Sequence, residues 1–442
     1  MNRNSDRWNK LHELTRDVVN ASRIRPEVSL YDLPGGDEME KSRPTMPIVN
    51  TTGITLIRPG GGTCYPAFWI RDFAMSLECG MISAEELEGM LRLTASTQNG
   101  RTPLKFDKGV VPAFAVADHI NLDGRPVYYP GTYSPGPDQG RGAWGERPPY
   151  CDHFYFIEMA YAFVKSTGDS SILAEAWGEI ALWERLEGAF HVPESDANTG
   201  ILFTSLASRA VNFGFVDSVV QTGSLLFATL LKYRASRHLA ELAELGGQAD
   251  KAERYRRIAQ QIKHYLPSVF GSDSGWLLAA TGYGKQPDVW GTAYAIYLGL
   301  LDGEAYEAAL SAIRHGYRSG TTCYKGNVRH LPLEAGTLMG TAWEKTVENY
   351  PINTYQNGAY WGTPTGWYVY ALSLTDSDAA QEMFENYVDG MLAEDYRSYG
   401  GEGAPWECIH PDGDYRQNGV YMTTVAVPYG VFKVMFGESV NN

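Results

Sequence analysis

HFYFIEMAYAFVKS, residues 153–166, is mostly apolar and aromatic, a composition that suits a helix buried on most sides. Thr167, Gly168 and Asp169 end it, and residues 172–186 read as its antiparallel return. The same unit recurs along the chain. Residues 219–244 form a long helix followed by a polar, amphipathic one over 250–265. Residues 290–301 and 304–317 pair around Asp302 and Gly303, and 368–374 pairs with 378–393. Residues 84–97 place Leu87, Met90, Leu91 and Ala95 near helical spacing, and 420–436 closes the chain.

Two turns resemble each other. PESDANTGILF (193–203) and FGSDSGWLL (270–278) each follow a helix with an acidic turn, a glycine and an apolar run, which predicts a short hairpin at each. No shift in composition marks a linker, so one domain over residues 1–442 is expected. Helical hairpins closing into a ring satisfy this pattern: an all-α (α/α)6 toroid with short β-hairpins in its loops. A solenoid of helical pairs is the competing architecture, and its repeats would be more regular than these.

Bulk composition narrows the function. A net charge of −15 argues against nucleic acid or an anionic membrane surface as partner. No run of about 18 apolar residues is present, so no membrane span is expected. The opening MNRNSDRWNKLHEL lacks the apolar core of a secretory leader. Five cysteines without paired spacing predict free thiols and a cytoplasmic location. No phosphate-binding loop, dinucleotide fingerprint, H-E-x-x-H or G-x-S-x-G is present, so neither a cofactor nor a metal is expected. Asp412 and Asp414, in HPDGD, read as a turn rather than a calcium site.

What remains is a set of loops rich in aromatics and glycine. YQNGAYWGTPTGW (355–367) packs four aromatics, three glycines and a proline around Gln356 and Asn357. Flat apolar faces with polar tips suit a pyranose, which has apolar C–H faces and a rim of hydroxyls. That reading makes Tyr360, Trp361 and Trp367 stacking surfaces, with Gln356 and Asn357 reaching the hydroxyls. The alternative is a loop that only packs.

Cleaving a glycosidic bond takes two carboxyl groups, one protonating the leaving oxygen and the other activating water or attacking the anomeric carbon. Four places offer carboxyls beside apolar helices, where loss of water can raise an acid's pKa. Trp69, Arg71 and Asp72 follow GGGTCYPAF; Asp152 lies in RPPYCDHFYF; Asp217 in NFGFVDSVVQTG; Glu402, Trp406 and Glu407 in GGEGAPWECIHPDG. Each aspartate also has a plain structural reading as a helix cap or an ion-pair partner.

In these residues the chain resembles the six-hairpin glycosidases, with the alkaline/neutral invertases as the nearest kin and the trehalases, mannosylglycerate hydrolases and glucoamylases behind them. Trp69, Arg71 and Asp72 look like the opening motif that holds the terminal sugar. YCDHFYFIEMAYAFVKSTGD looks like the third-helix motif, with Asp152 at its acidic position. GFVDSVVQTGSLLFATLLKYRA looks like the segment of the catalytic acid, placing Asp217 there. NTYQNGAYWGTPTGW looks like the Asn-Gly-Gly/Trp-Pro loop, and APWECIHPDGDYRQNGVYMTT like the segment of the catalytic base, placing Glu407 there. Ser218 and Val219 stand where the invertases carry arginines, and Cys408 and Ile409 where they carry paired aromatics, which weakens sucrose as substrate.

The resemblance implies an inverting, exo-acting glycoside hydrolase without cofactor, with Asp217 as acid and Glu407 as base about 6.5–9.5 Å apart. The binding residues are then Trp69, Arg71, Asp72, Asp152, Gln356, Asn357, Tyr360, Trp361, Trp367 and Trp406. Two alternatives stay open. One is a six-hairpin sugar epimerase or unsaturated-glycuronide hydrolase, for which His153 and His410 are the histidines in candidate loops. The other is a carbohydrate-binding protein without catalysis.

Overall fold

The computed structural model describes residues 6–32 and 46–437, apart from 63, 108, 141–144, 334–339, 349 and 399; the first five residues of the opening segment and Thr63 of the glycine loop therefore lie outside it. Twelve α-helices dominate the described residues, with small antiparallel sheets in the loops. In chain order they are α1 (Asp6–Ala21), α2 (Ile70–Ser76), α3 (Ala84–Thr97), α4 (Tyr150–Thr167), α5 (Leu182–His191) and α6 (Leu226–Leu245). Then come α7 (Ala249–Phe270), α8 (Val289–Tyr297), α9 (Gly303–Arg318), α10 (Thr365–Ser373), α11 (Ser377–Ala393) and α12 (Met422–Met435).

Their packing follows from their sequences. Helix α2 is buried at all 7 positions, α4 at 14 of 18 and α8 at 8 of 9, so each needs protein on every side. Helix α7 buries only 6 of 22 residues and α9 only 5 of 16, so one face meets protein and the rest meets water. The even-numbered helices pack in a cycle: α2 on α4, α4 on α6, α6 on α8, α8 on α10, α10 on α12, and α12 back on α2. The odd-numbered ones lie outside, with α3 and α5 on α4, α7 on α6, α9 on α8 and α10, α11 on α10, and α1 on α12. One apolar cluster runs from Trp8 to Phe432.

The predicted helix over 84–97 is α3, opened by a capping box in which the Ser83 hydroxyl accepts from Glu86 N–H (3.2 Å) and the Glu86 carboxylate accepts from Ser83 N–H (3.0 Å). Two expectations shift. The helix expected from 219 starts at Leu226, because 219–225 runs extended into a pair between Gly223–Ser224 and Phe203–Thr204. The helix expected from 172 starts at Leu182, after a ribbon of two-residue strands turning at Gly178 and Glu179, where Gly178 has φ +65°. Of the two expected hairpins, 193–203 closes through a bridge between Ser195 and Leu202, and 270–278 through a bond from Leu278 N–H to Phe270 O (2.8 Å).

Two sheets frame the end of the cycle where the even-numbered helices start. Strands β1 (Phe68–Trp69), β2 (His119–Ile120) and β3 (Pro126–Val127) pair antiparallel, with Trp69 opposite His119. Strands β4 (Cys323–Tyr324), β5 (Asn327–Arg329), β6 (Tyr360–Trp361), β7 (Cys408–His410) and β8 (Tyr415–Gln417) form a five-stranded antiparallel sheet in sequence order. The glycine loop joins the start of the cycle to its end. Gly61 N–H donates to Val420 O (3.0 Å) and Met422 N–H to Pro59 O (2.7 Å). A Cβ on Gly60 would run into the Val420 carbonyl, so only glycine allows this approach.

Candidate active site

A cavity of about 350 Å³ opens at that end. Five of the expected residues line it: Trp69, Arg71, Asp72, Asp217 and Glu407. They arrive from different elements. Trp69 ends β1, Arg71 and Asp72 form the first turn of α2, Asp217 follows a short 3-10 turn before α6, and Glu407 immediately precedes β7.

Arg71 is 5% exposed, and its Nη2 donates to Asp118 Oδ1 and to Asp152 Oδ2 (2.9 Å). Gly214 makes room for it, since a Cβ there would overlap the Arg71 side-chain stem. Asp118 also takes the Nδ1 of His119 on Oδ2 at 2.7 Å. Burial alone would raise the Asp118 carboxyl, but Arg71 and His119 hold it down at about 2. Burial raises Asp152 well above the usual carboxylate range, with Arg71 opposing the rise and Asp118 and Asp72 adding to it. His119 stacks on Trp69, ring centroids 4.2 Å apart and planes 19° apart, as their cross-strand pairing dictates.

Asp217 is half-buried, its carboxylate held by Gln356. Gln356 Nε2 donates to Asp217 Oδ1, while its Oε1 accepts from Ser218 N–H (2.8 Å) and Ser218 Oγ (2.5 Å). Burial lifts Asp217 to about 7, against the pull of the Gln356 amide and Arg71. Glu407 is 1% exposed. Tyr65 Oη donates to its Oε1 (3.0 Å) and Asn418 Nδ2 to its Oε2 (2.5 Å). Burial lifts Glu407 to about 8, with Asp72 and Asp217 adding to the rise and both donors opposing it. Asp72 accepts from Tyr421 Oη at 2.6 Å and is raised by burial to about 6.

Three lining residues carry left-handed backbone that non-glycine residues rarely adopt: Tyr65 (φ +28°), Tyr355 (φ +43°) and Asn418 (φ +41°). Such strain collects where a site needs a side chain in one place. Tyr355 Oη lies 3.4 Å from Tyr65 Oη, extending the hydroxyl chain that leads to Glu407.

The remaining expected residues do not line the cavity. Asp152 sits under Arg71 at 0% exposure. Gln356 is fully buried and holds Asp217 instead of facing the opening. Asn357 ties down a neighbouring loop, with Oδ1 accepting from Ala342 N–H (2.7 Å) and Nδ2 donating to Tyr350 O (2.8 Å). Trp361 packs one layer below, against Phe215 (5.3 Å) and Tyr355 (5.5 Å). Trp367 lies deeper, against Tyr294 at 4.4 Å. Tyr360 stands beside His410 and Arg329, and Trp406 Nε1 donates to Glu394 Oε2 (2.8 Å). Their rings are spent on internal packing, and of the 355–367 stretch Tyr355 alone lines the cavity. Glu402 is exposed and off the cavity.

Sequence reasoning passed over Tyr65, Asp118, His119, Tyr133, Tyr350 and Tyr421, which line the wall. Tyr65 and Tyr421 stood inside quoted motifs; Asp118 and His119 carried no local signal. The histidines picked from loops lie elsewhere: His153 is buried with Nδ1 at Pro149 O (3.0 Å), and His410 is in β7. Among the described residues no group of three His, Cys, Asp or Glu is arranged to hold a metal ion, and no helix is long and apolar enough to cross a membrane.

Neither a family model nor a curated protein sequence matches this chain. Its fold is similar to solved glycosidases. A rhamnosidase from Klebsiella oxytoca with rhamnose bound aligns with a TM-score of 0.52 and 13% identity, over 85% of this chain and 59% of that one. A GH78 family rhamnosidase of a Bacillus species aligns at 0.55 and 11%, over 98% of this chain and 35% of that one. Glucoamylase from Saccharomycopsis fibuligera aligns at 0.51 and 12%, over 87% and 89%. The chain thus spans about three-fifths and one-third of the two rhamnosidases. At these identities the likeness is one of fold, and it is the likeness to six-hairpin glycosidases read from the motifs.

Proposed function

We propose that this protein is an inverting, exo-acting glycoside hydrolase built on a single (α/α)6 toroid. The observation that carries the reading is the meeting of Asp217 and Glu407, from distant motifs, in one aromatic-walled cavity where burial raises both carboxyls. The cyclic packing of the even-numbered helices supports the toroid, and neighbours named as rhamnosidases and a glucoamylase support the chemistry.

In this mechanism Asp217 carries the proton. Its pKa near 7 keeps a share of it protonated at neutral pH, and the Gln356 amide fixes which oxygen remains for the glycosidic oxygen. Glu407 receives a proton from the attacking water. Tyr65 and Asn418 donate to it and so favour its carboxylate form. The two carboxyls interact, so the active state holds one proton between them; because Glu407 titrates above Asp217, the reactive form is the minor tautomer in which Asp217 holds that proton. Trp69 offers an apolar face to the ring, and Asp72 with Arg71 and Asp118 meets its hydroxyls.

The test is a panel of nitrophenyl glycosides and natural disaccharides, with the product anomer followed by NMR. Asp217→Asn and Glu407→Gln should each lower turnover by at least about 100-fold. Near wild-type turnover in either variant removes that residue, and a first-formed product of retained configuration overturns Glu407 as the base that activates water. The rate itself should be bell-shaped in pH. Activity falls at low pH as both carboxyls protonate and at high pH as the last proton leaves, so kcat/KM should peak between about 7 and 8. An optimum near pH 4–5, where unperturbed carboxyls titrate, would contradict the burial argument.

A further inference from the structure

We infer that the cavity takes a terminal sugar without negative charge and turns away uronic acid, sulfated and phosphorylated glycosides. This deepens the hydrolase reading and rests on it for the identity of the site. The lining carries five carboxyl side chains, Asp72, Asp118, Asp217, Glu348 and Glu407, and Arg71 is its one lysine or arginine among the described residues. Its charge is already shared between two of the chain's own acids, because Nη2 donates to both Asp118 and Asp152, and its stem is wedged against Gly214. His119 is the other group able to bear positive charge, and its Nδ1 is engaged by Asp118. An anionic group on the sugar would therefore enter beside five carboxyls and a single guanidinium already paired with Asp118 and Asp152, and a buried charge without a counter-ion of its own is strongly disfavoured.

Hydrogen-bond inventory points the same way. Ionised carboxylates only accept, whereas each sugar hydroxyl can donate. The Tyr421 hydroxyl is spent on Asp72, and the Tyr65 hydroxyl and Asn418 amide on Glu407. The wall is thus rich in acceptors, which a neutral polyol complements and a carboxylate, sulfate or phosphate group does not. The discrimination is built from repulsion as much as from fit.

The experiment is ligand-observed NMR on the wild-type chain with two mixtures: neutral pyranoses, and the uronic acids and 6-phosphates of the same configurations. Titration of each hit with its counterpart follows. At least one neutral sugar should bind, at least about 10-fold tighter than its anionic counterpart. An anionic sugar that binds as tightly as its neutral partner, or binding by neither mixture, overturns the inference. Failure of the hydrolase reading would look different: neutral sugars would bind, yet no glycoside in the panel would turn over.

Discussion

Gly214 brings no side chain to the cavity it lines and Gln356 does not reach it, yet each sets the position of a charged group. A methyl group on Gly214 would displace Arg71 from between Asp118 and Asp152. Gly214→Ala should lower kcat/KM by at least about 10-fold with an unchanged far-ultraviolet circular dichroism spectrum; wild-type kcat/KM would show that Arg71 need not stay where it is. Gln356 donates to Asp217, which favours the ionised form. Gln356→Leu removes that donor, so the Asp217 pKa rises and the acidic limb of the kcat/KM profile, which follows the lower of the two carboxyls, should move up by about 0.5 in pH. A merely structural role would lower activity and leave the limb in place. At this scale the motif residues were legible as residue types. Their division into cavity wall and supporting layer was not, because Tyr355 and Trp361 look alike in sequence while only the first faces the opening.

The long helices were readable because an apolar pattern over ten or more residues outweighs local noise. The five-stranded sheet was not. Its strands are two or three residues long, and β6 pairs with β5 and β7 across long stretches of chain. No periodicity can establish itself over two residues, so such strands exist only through their partners. The turn between β4 and β5 carries the sheet's sharpest requirement. Lys325 (φ +46°) and Gly326 (φ +72°) form a two-residue hairpin turn, and a Cβ on Gly326 would strike the Tyr387 backbone in α11. Gly326→Ala should cost about 2 kcal/mol or more, read as a lower thermal midpoint. An unchanged midpoint would mean that β4, β5 and α11 are not packed this tightly.

Across the whole molecule, the candidate site is held at the expense of stability. Glu407 titrates near 8 when folded and near 4.3 when unfolded. Between those values the folded state binds more protons, so the contribution of Glu407 is fully present below about 4.3 and is lost as pH rises through about 8. Glu407→Gln has no charge to bury. It should melt higher than the wild type at pH 8.5, by about 2 °C or more, with the gap closing toward pH 5. A variant that melts lower at pH 8.5 would show that Tyr65 and Asn418 stabilise the carboxylate by more than burial costs it.

The amino-acid sequence by itself determined the helical character of this protein, the order of its hairpins and the two acidic residues now found in one cavity. Those features rest on local pattern and residue chemistry, which a linear reading can see. Only the tertiary structure decided that Asp118 and His119 join Arg71, that Tyr65 and Asn418 hold Glu407, and that Trp361 and Trp367 are interior packing. Each of these depends on contacts between segments far apart in the chain, and burial, which sets the charge of Asp217 and Glu407, belongs to the packed molecule as a whole.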